Sequence, residues 1–174
     1  MDIYEYAKEN KLLSRSAVGG NEFREFFKNI KIKTVVEIGT YKGISSAYMA
    51  QFAKKVFTFD IRDYKEKYKL WQELGIENKI FYYTIKGKNE NFEGKFQSSK
   101  NKVNIEDVIN SIRFDFAFID GEHTYEDVKR DFELVKHCGK VLFHDVAKKS
   151  FTGVRKFVDE IGAEVTGNIG YWHK

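Results

Sequence analysis

The chain has no proline and only one cysteine among its 174 residues. Without proline, its turns must be built from Gly, Asn, Asp and Ser. The lone Cys138 excludes an internal disulfide and suits a reducing compartment, so we expect a cytoplasmic protein. Because Cys138 stands beside Gly139 and before an apolar run, a small core residue is favoured over a nucleophile.

Long apolar runs are missing as well. No stretch approaches the roughly 18 residues that a membrane span requires, and residues 1–5 lack signal-peptide character, so we expect no membrane partner. The length is that of a single domain, residues 1–174, which can bury roughly 70% of the surface of its unfolded chain.

A large charge of one sign is also absent. The 30 Lys and Arg residues stand against 26 Asp and Glu residues, which gives a formal net charge of +4. The positive residues are spread over several segments and form no arginine-rich stripe. This distribution permits a nucleic-acid partner but does not imply one.

The stretch at 34–46 is the part around which the rest is arranged. Its β-branched run from Thr34 to Ile38 predicts a strand buried on both faces, and a helix begins at Ile44 after two glycines, Gly39 and Gly43. A strand, a glycine turn and a helix present backbone N–H groups to a ligand at the edge of a parallel sheet. The spacing Glu-x-Gly-x-x-x-Gly differs from that of nicotinamide-cofactor proteins and argues against a pyrophosphate. An ordinary strand-to-helix turn is the alternative.

The rest of the chain alternates in the same way. The pattern predicts strands at 34–38, 55–60, 79–85, 114–120 and 140–145, helices at 2–13, from 21, and at 44–53, 64–74, 105–112, 124–137 and 153–161, and a final hairpin at 163–173. One helix between successive strands implies right-handed crossovers and parallel pairing. The predicted fold class is α/β, a doubly wound and mostly parallel sheet with an antiparallel C-terminal hairpin strand. Residues 1–30 would be N-terminal helices and 31–174 the core.

Two further segments carry predictions. Asn21 is expected to cap the second helix, whose stripe of phenylalanines, Phe23, Phe26 and Phe27, indicates core packing. Residues 86–104 are rich in Gly, Asn, Ser and Lys and form an unusually long irregular connection. They are either a mobile, lysine-rich lid or a solvated surface insertion.

Polar residues collect where the predicted strands end. Four of the five parallel strands deliver such groups to the carboxyl edge, where ligands bind in open α/β sheets. These groups are Glu37 with Gly39, Asp60, Asp120 with His123, and His144 with Asp145. Each acid alone could be a cap. Asp60 is placed to accept the hydroxyls of a ribose, and Glu37 suits an ammonium group, which together fit S-adenosylmethionine.

Three stretches carry a family resemblance. Residues 35–46, 114–128 and 143–145 resemble class I S-adenosylmethionine-dependent methyltransferases, which have Rossmann-like folds. The closer likeness is to the small-molecule and sugar O-methyltransferase branch, whose fourth strand ends Ile-Asp-Gly-x-His-x-Tyr. The resemblance spans about residues 20–173 and implies methyl transfer to oxygen, of a sugar or another small hydroxylated metabolite.

The resemblance also assigns residues. It implies that Glu37, Gly39, Thr40 and Gly43 line the methionine end of the cofactor and that Asp60 holds its ribose. Asp120 would lie beside the cofactor as well.

The same resemblance assigns a metal and a base. In some members of the branch, acids ending the fourth and fifth strands bind Mg²⁺, which here matches Asp120 and Asp145, with His123 as general base. His144 stands where a second acid often occurs, and because Mg²⁺ prefers oxygen ligands this favours a softer divalent metal or none. The alternative to a general base is a structural role, in which His123 caps a helix or packs in the fold.

Two alternatives stay open. RNA ribose methylation would use the lysines of 86–104 to contact phosphates. A catalytically silent nucleoside-binding module is the second, because the third strand ends Ile85-Lys86 without an acid. Nucleobase N-methylation is disfavoured, because its Asn/Asp-Pro-Pro-Tyr/Phe signature cannot occur in a chain without proline. Either the acceptor is large and lies over an open face of the domain, or a second subunit, as in a homodimer, completes the pocket.

Overall fold

The computed structural model describes residues 2–13, 20–86 and 102–174. These residues contain strands β1 (Thr34–Ile38), β2 (Lys55–Asp60), β3 (Ile80–Thr84), β4 (Phe116–Ile119), β5 (Lys140–His144), β6 (Glu164–Thr166) and β7 (Ile169–His173). They form one sheet in the order β3-β2-β1-β4-β5-β7-β6. The first five strands are parallel, and β7 runs antiparallel to both β5 and β6. The predicted doubly wound sheet with a closing hairpin is confirmed.

The described helices cover both faces of the sheet. They are α1 (Ile3–Glu9), α2 (Asn21–Lys28), α3 (Ile44–Phe52), α4 (Glu66–Glu73), α5 (Ile105–Ser111), α6 (Tyr125–Val135) and α7 (Thr152–Glu160). Helices α1 to α4 contribute to one hydrophobic cluster and α5 to α7 to the other. Because strand side chains alternate, Val35 faces the first cluster and Val36 the second.

Helix α2 contains the predicted aromatic stripe. Phe23 and Phe27 are completely buried, and the Phe23 ring meets that of Phe118 edge-on at 5.2 Å between centroids, so the core-packing prediction is confirmed. The predicted cap is wrong. Gly20 occupies the N-cap without a side-chain bond, while the Asn21 side chain accepts from Arg24 one turn further along.

The first helix is shorter than the apolar pattern predicts. Asp2 caps it by accepting from the N–H groups of Tyr4 and Glu5 at 2.8 and 3.1 Å, and it ends at Glu9. Lys11 then takes a positive φ of 54°, which a continuing helix does not allow.

The long connection predicted at 86–104 is described only at its two ends. Val103 forms a parallel bridge with Ile85, and Asn104 caps α5 by accepting from the Glu106 N–H at 2.9 Å. The interpretation of 86–104 as a lid or as an RNA-contacting segment concerns residues 87–101, which lie outside the described residues. Within the described ranges no helix has the length and hydropathy needed to cross a membrane.

Candidate functional site

The turn after β1 lies against the end of β4. The Gly39 N–H donates to the Phe59 carbonyl at 2.8 Å, and the Asp120 N–H donates to the Ile38 carbonyl at 2.8 Å. Gly39 has a φ of +102°, and a Cβ at this position would lie 2.1 Å from the Asp120 carbonyl oxygen. Only glycine fits, and its absence of a side chain lets the turn and Asp120 sit side by side.

The second glycine of the turn is required by packing below it. Gly43 has a φ of +74° at the N-cap of α3, and an added Cβ would lie 2.7 Å from the Trp71 ring. The Trp71 indole N–H donates to the Gly43 carbonyl at 2.9 Å. Helix α4 therefore fixes the turn, and the spacing of the two glycines has a structural reason apart from any ligand.

Glu37 lies beneath the turn and does not reach the surface. It is completely buried and accepts hydrogen bonds from the hydroxyls of Ser45 and Ser46, and from that of Thr58 at 2.6 Å. The buried Thr40 hydroxyl pairs with Thr58 at 2.6 Å. Burial raises the pKa of Glu37 to about 7, although the three hydroxyls oppose the shift. Both side chains are buried and hydrogen-bonded within the chain, and direct cofactor contact by Glu37 or Thr40 stays a prediction.

Asp60 ends β2 in a half-buried position on the same rim. One carboxylate oxygen accepts from the Tyr41 N–H at 2.6 Å and the other from the Arg62 N–H at 2.9 Å. Burial raises the pKa of Asp60, and these N–H groups work against the rise. Because each carboxylate oxygen has two lone pairs, each of the two oxygens can still accept a hydrogen bond from a ligand hydroxyl.

Two acids and two imidazoles converge at the ends of β4 and β5. We call Asp120, His123, His144 and Asp145 the strand-end cluster. His144 Nδ1 lies 2.9 Å from Asp145 Oδ1 and 3.2 Å from Asp120 Oδ1. His123 Nε2 lies 3.2 Å from Asp145 Oδ2 and 3.7 Å from Asp120 Oδ1. The structure thus brings together all four residues that the sequence places at these strand ends.

The charges of the cluster shift its protonation. Burial alone would lower the pKa of His123, but Asp120 and Asp145 outweigh it and raise the pKa to about 9. His123 Nε2 is buried and lies 3.2 Å from Asp145 Oδ2, but it completes no well-angled hydrogen bond. Although burial opposes ionisation, the imidazoles and Lys148 hold the pKa of Asp145 well below its usual range.

Asn168, in the turn of the C-terminal hairpin, holds the cluster from the other side. Its Oδ1 accepts from the Ala147 N–H at 3.0 Å, which orients the amide so that Nδ2 donates to Asp145 at 3.0 Å. The same Nδ2 lies 3.3 Å from His144 Nε2. Burial alone would lower the pKa of His144, but Asp120 and Asp145 outweigh it and raise the pKa to about 9, so Nδ1, which lies between the two acids, carries a proton. This arrangement also supports Asp145 in a left-handed conformation, with φ of 62°.

The start of α7 closes over His123. The Phe151 ring stacks on the His123 imidazole with 3.9 Å between centroids and 10° between planes. Gly153 lies so near the loop between β4 and α6 that a Cβ on it would be 2.3 Å from the Tyr125 nitrogen and 2.7 Å from the His123 carbonyl oxygen. The orientation of the imidazole is therefore set by two separate segments of chain.

The cluster contains the three residues expected to bind a metal. Asp120, His144 and Asp145 each offer a ligand atom within 4.8 Å of one another. Their present partners do not suit a hard dication, because the His144 nitrogen between the acids carries a proton and Lys148 Nζ lies 2.7 Å from Asp145 Oδ2. Metal binding by these three residues therefore stays a prediction.

Two grooves lie away from this edge. One of about 420 Å³ lies between α2 and the C-terminal hairpin, and another of about 420 Å³ lies at the amino ends of β1 and β2. Their linings contain neither Asp60 nor any residue of the strand-end cluster. We place the functional site by its chemistry at the carboxyl edge.

Three residues of the site escape prediction from the sequence. Lys148 and Phe151 follow the fifth strand in a segment without a motif, and Asn168 was expected only to form a turn. The sequence signal for Lys148 is its position three residues after Asp145. Asn168 gives no such signal, because only the antiparallel pairing of β7 with β5 brings it to Asp145.

The fold and the site define a class: a doubly wound α/β protein with a glycine turn, a half-buried acid on the second strand and an acid–imidazole cluster on one rim. A family model described as a methyltransferase domain matches residues 36–146, well over half of the chain. The chain belongs to this methyltransferase domain family. A comparison with curated proteins gave no match.

Solved structures of similar fold cover nearly the whole chain. A candidate O-methyltransferase from Klebsiella pneumoniae is 17% identical over 100% of this chain and 90% of that chain, with a TM-score of 0.67. The O-methyltransferase from Bacillus cereus in complex with SAH is 15% identical (99% and 89%, TM-score 0.65). TomG from Streptomyces achromogenes, an O-methyltransferase of tomaymycin synthesis in complex with SAM, is 15% identical (97% and 86%, TM-score 0.64). At these identities the likeness establishes the fold. Family and fold together confirm the prediction of an S-adenosylmethionine-dependent methyltransferase.

Proposed function

We propose that this methyltransferase acts on the oxygen of a small hydroxylated molecule bound at the carboxyl edge of the sheet. The observation that carries the proposal is the contact between the Gly39 turn and Asp120. This contact puts the cofactor side of the rim next to the strand-end cluster, so that a methyl donor and a proton acceptor share one space.

The cofactor side of the rim suits a nucleoside. Gly39 and Gly43 let the turn pack closely against Asp120 and Trp71. Beside this turn, Asp60 offers two carboxylate oxygens with spare lone pairs for ribose hydroxyls. S-adenosylmethionine, when bound, supplies an electrophilic methyl group on a positively charged sulfur. Glu37 acts from below in this proposal, because its bonds to Ser45 and Ser46 fix the first turn of α3.

Replacing Asp60 with asparagine is expected to weaken the binding of S-adenosylhomocysteine by about 10- to 100-fold, the effect of losing hydrogen bonds to a charged acceptor. Titration calorimetry of the full chain measures this dissociation constant. Asp159→Asn is the matched control, since Asp159 is exposed near the end of α7 and lies away from the carboxyl edge. Equal affinities in the two variants would contradict the role of Asp60.

On the acceptor side, His123 is the proposed general base. The hydroxyl proton of the acceptor passes to His123 Nε2, the freed oxygen bonds to the methyl carbon, and the electrons of the broken C–S bond return to sulfur. Asp120 and Asp145 stabilise the imidazolium that results. Stacking on Phe151 keeps the ring in place during this exchange.

The basicity of His123 narrows the range of hydroxyl groups that the enzyme could deprotonate. With its pKa at about 9, His123 is mismatched by about one unit to a phenol of pKa about 10, a cost of about 1.4 kcal/mol. A sugar hydroxyl, taken as comparable to water at about 15.7, is mismatched by about seven units, or roughly 9 kcal/mol. We therefore rank phenolic and enolic hydroxyls above sugar hydroxyls as acceptors.

An assay of S-adenosylhomocysteine formation tests the proposal. A panel of catechols, phenols and simple glycosides is offered with S-adenosylmethionine, and turnover is expected with the acidic hydroxyls. The proposal fails if S-adenosylhomocysteine does not bind. Turnover of glycosides alone would overturn the ranking of acceptors but not the methyltransferase function.

A further inference from the structure

The carboxylate of Asp145 is surrounded by nitrogen atoms of the chain itself. Its Oδ1 lies 2.9 Å from His144 Nδ1 and 3.0 Å from Asn168 Nδ2. Its Oδ2 lies 2.7 Å from Lys148 Nζ and 3.2 Å from His123 Nε2. Lys148 and Asn168 donate hydrogen bonds to this carboxylate, one to each oxygen, and the two imidazoles lie within ion-pair distance of it.

Lys148 is a fixed part of this arrangement. Its side chain is only 28% exposed, and its ammonium group lies 5.3 Å from the centre of the Phe151 ring, which itself stacks on His123. The Lys148 ammonium therefore lies between the buried Asp145 carboxylate and the Phe151 ring, where water screens the ion pair only weakly.

We propose that the Lys148 ammonium takes the place of a divalent cation on Asp145, so that the site has no resident metal. The inference rests on the proposed function, since it concerns how that site balances its two acids. Lys148 supplies the positive charge beside Asp145 and His144 bridges Asp145 to Asp120 through its Nδ1 proton. A dication could bind Asp145 Oδ2 only by displacing the Lys148 ammonium from it.

The test measures binding of Mn²⁺ to the full-length protein by electron paramagnetic resonance, without cofactor or acceptor. The wild type is expected to bind Mn²⁺ weakly. Lys148→Met is expected to bind Mn²⁺ about 30-fold more tightly, because it removes the repulsion between an ammonium and a dication. At a separation of about 4 Å this repulsion corresponds to about 30-fold in affinity even at the dielectric constant of water. Lys148→Arg, which keeps the charge, is expected to match the wild type.

Lys149→Met is the matched control, because Lys149 is the exposed neighbour and its loss changes the net charge equally. It is expected to leave Mn²⁺ affinity unchanged. Tight Mn²⁺ binding by the wild type would overturn the proposal, as would equal affinities in Lys148→Met and Lys149→Met. Thermal unfolding of every variant shows that each is folded.

S-adenosylhomocysteine binding, measured on the same proteins, separates this inference from the proposed function. If the wild type binds S-adenosylhomocysteine and also binds Mn²⁺ tightly, the role of Lys148 is refuted while the methyltransferase function stands. If it binds neither, the proposed function fails and the ion pair is a structural contact.

Discussion

Replacing His123 with alanine is expected to lower kcat for methyl transfer by about 10²- to 10⁴-fold, the usual contribution of a positioned general base. The affinity for S-adenosylhomocysteine should be unchanged, because His123 lies on the proposed acceptor side of the rim, with Asp120 and Asp145 as its charged neighbours. Initial rates with a phenolic acceptor and calorimetric titration of the cofactor product measure the two quantities separately.

The pH dependence gives the same prediction a second readout. A base must be neutral to act, and with its pKa raised to about 9 His123 is mostly protonated at pH 7. The wild-type kcat/KM is therefore expected to rise about tenfold per pH unit and to level off near pH 9. His123→Ala should lose this slope along with the rate.

His137→Ala is the control for losing a histidine, since His137 is exposed in the 3₁₀ turn after α6. It is expected to keep both the rate and the pH slope of the wild type. A His123→Ala enzyme of near wild-type rate would show instead that His123 is a packed residue stacked on Phe151, which is the role that a non-catalytic histidine would have there.

Relative to the wild type, Glu37→Gln is expected to gain about 2.5 kcal/mol of stability as the pH rises from 5 to 8. Burial raises the folded pKa of Glu37 from the ordinary 4.5 of a glutamate to about 7, so the folded state binds the proton more tightly than the unfolded state. Stability is then lost as pH rises from the unfolded value through the folded one, about 1.4 kcal/mol per unit of pKa difference. Glutamine is nearly isosteric and does not ionise, so it avoids this loss.

Urea unfolding at pH 5, 6, 7 and 8 measures the effect as the difference between variant and wild type. Taking the difference removes the contributions of His123 and other titrating groups. Glu77→Gln, at an exposed position in the turn before β3, should show no such trend. Parallel curves for wild type and Glu37→Gln would mean that the three hydroxyls stabilise the carboxylate enough to cancel its burial.

The fold could be predicted from the sequence because each strand is a short apolar run and each helix a periodic one. The five parallel strands and the hairpin lie where the pattern predicts them, within one or two residues at most ends. The boundary of α1 could not be predicted, since Leu12 and Leu13 continue its apolar spacing although the chain turns at Lys11. Propensity alone does not register such a turn.

The site could be predicted as far as strand ends allow. Parallel strands end at one edge, so Asp60, Asp120 and Asp145 had to share a rim. Strand alternation puts the Glu37 side chain on the same face of the sheet as Val35, beneath Ser45. Its position in the sequence, next to the two glycines, led instead to the prediction that it contacts the ligand. Asn168 required tertiary pairing that no local pattern contains.

The close approach of Gly153 to the His123 loop limits how this enzyme can be re-engineered. Residues 120–125 and 145–153 belong to different crossover units, but the missing side chain at Gly153 lets them interlock, and Phe151 and Asp145 depend on that fit. An attempt to transplant the acceptor chemistry into another scaffold would have to carry both segments together, since either one alone would deliver its side chains without the partner that aims them.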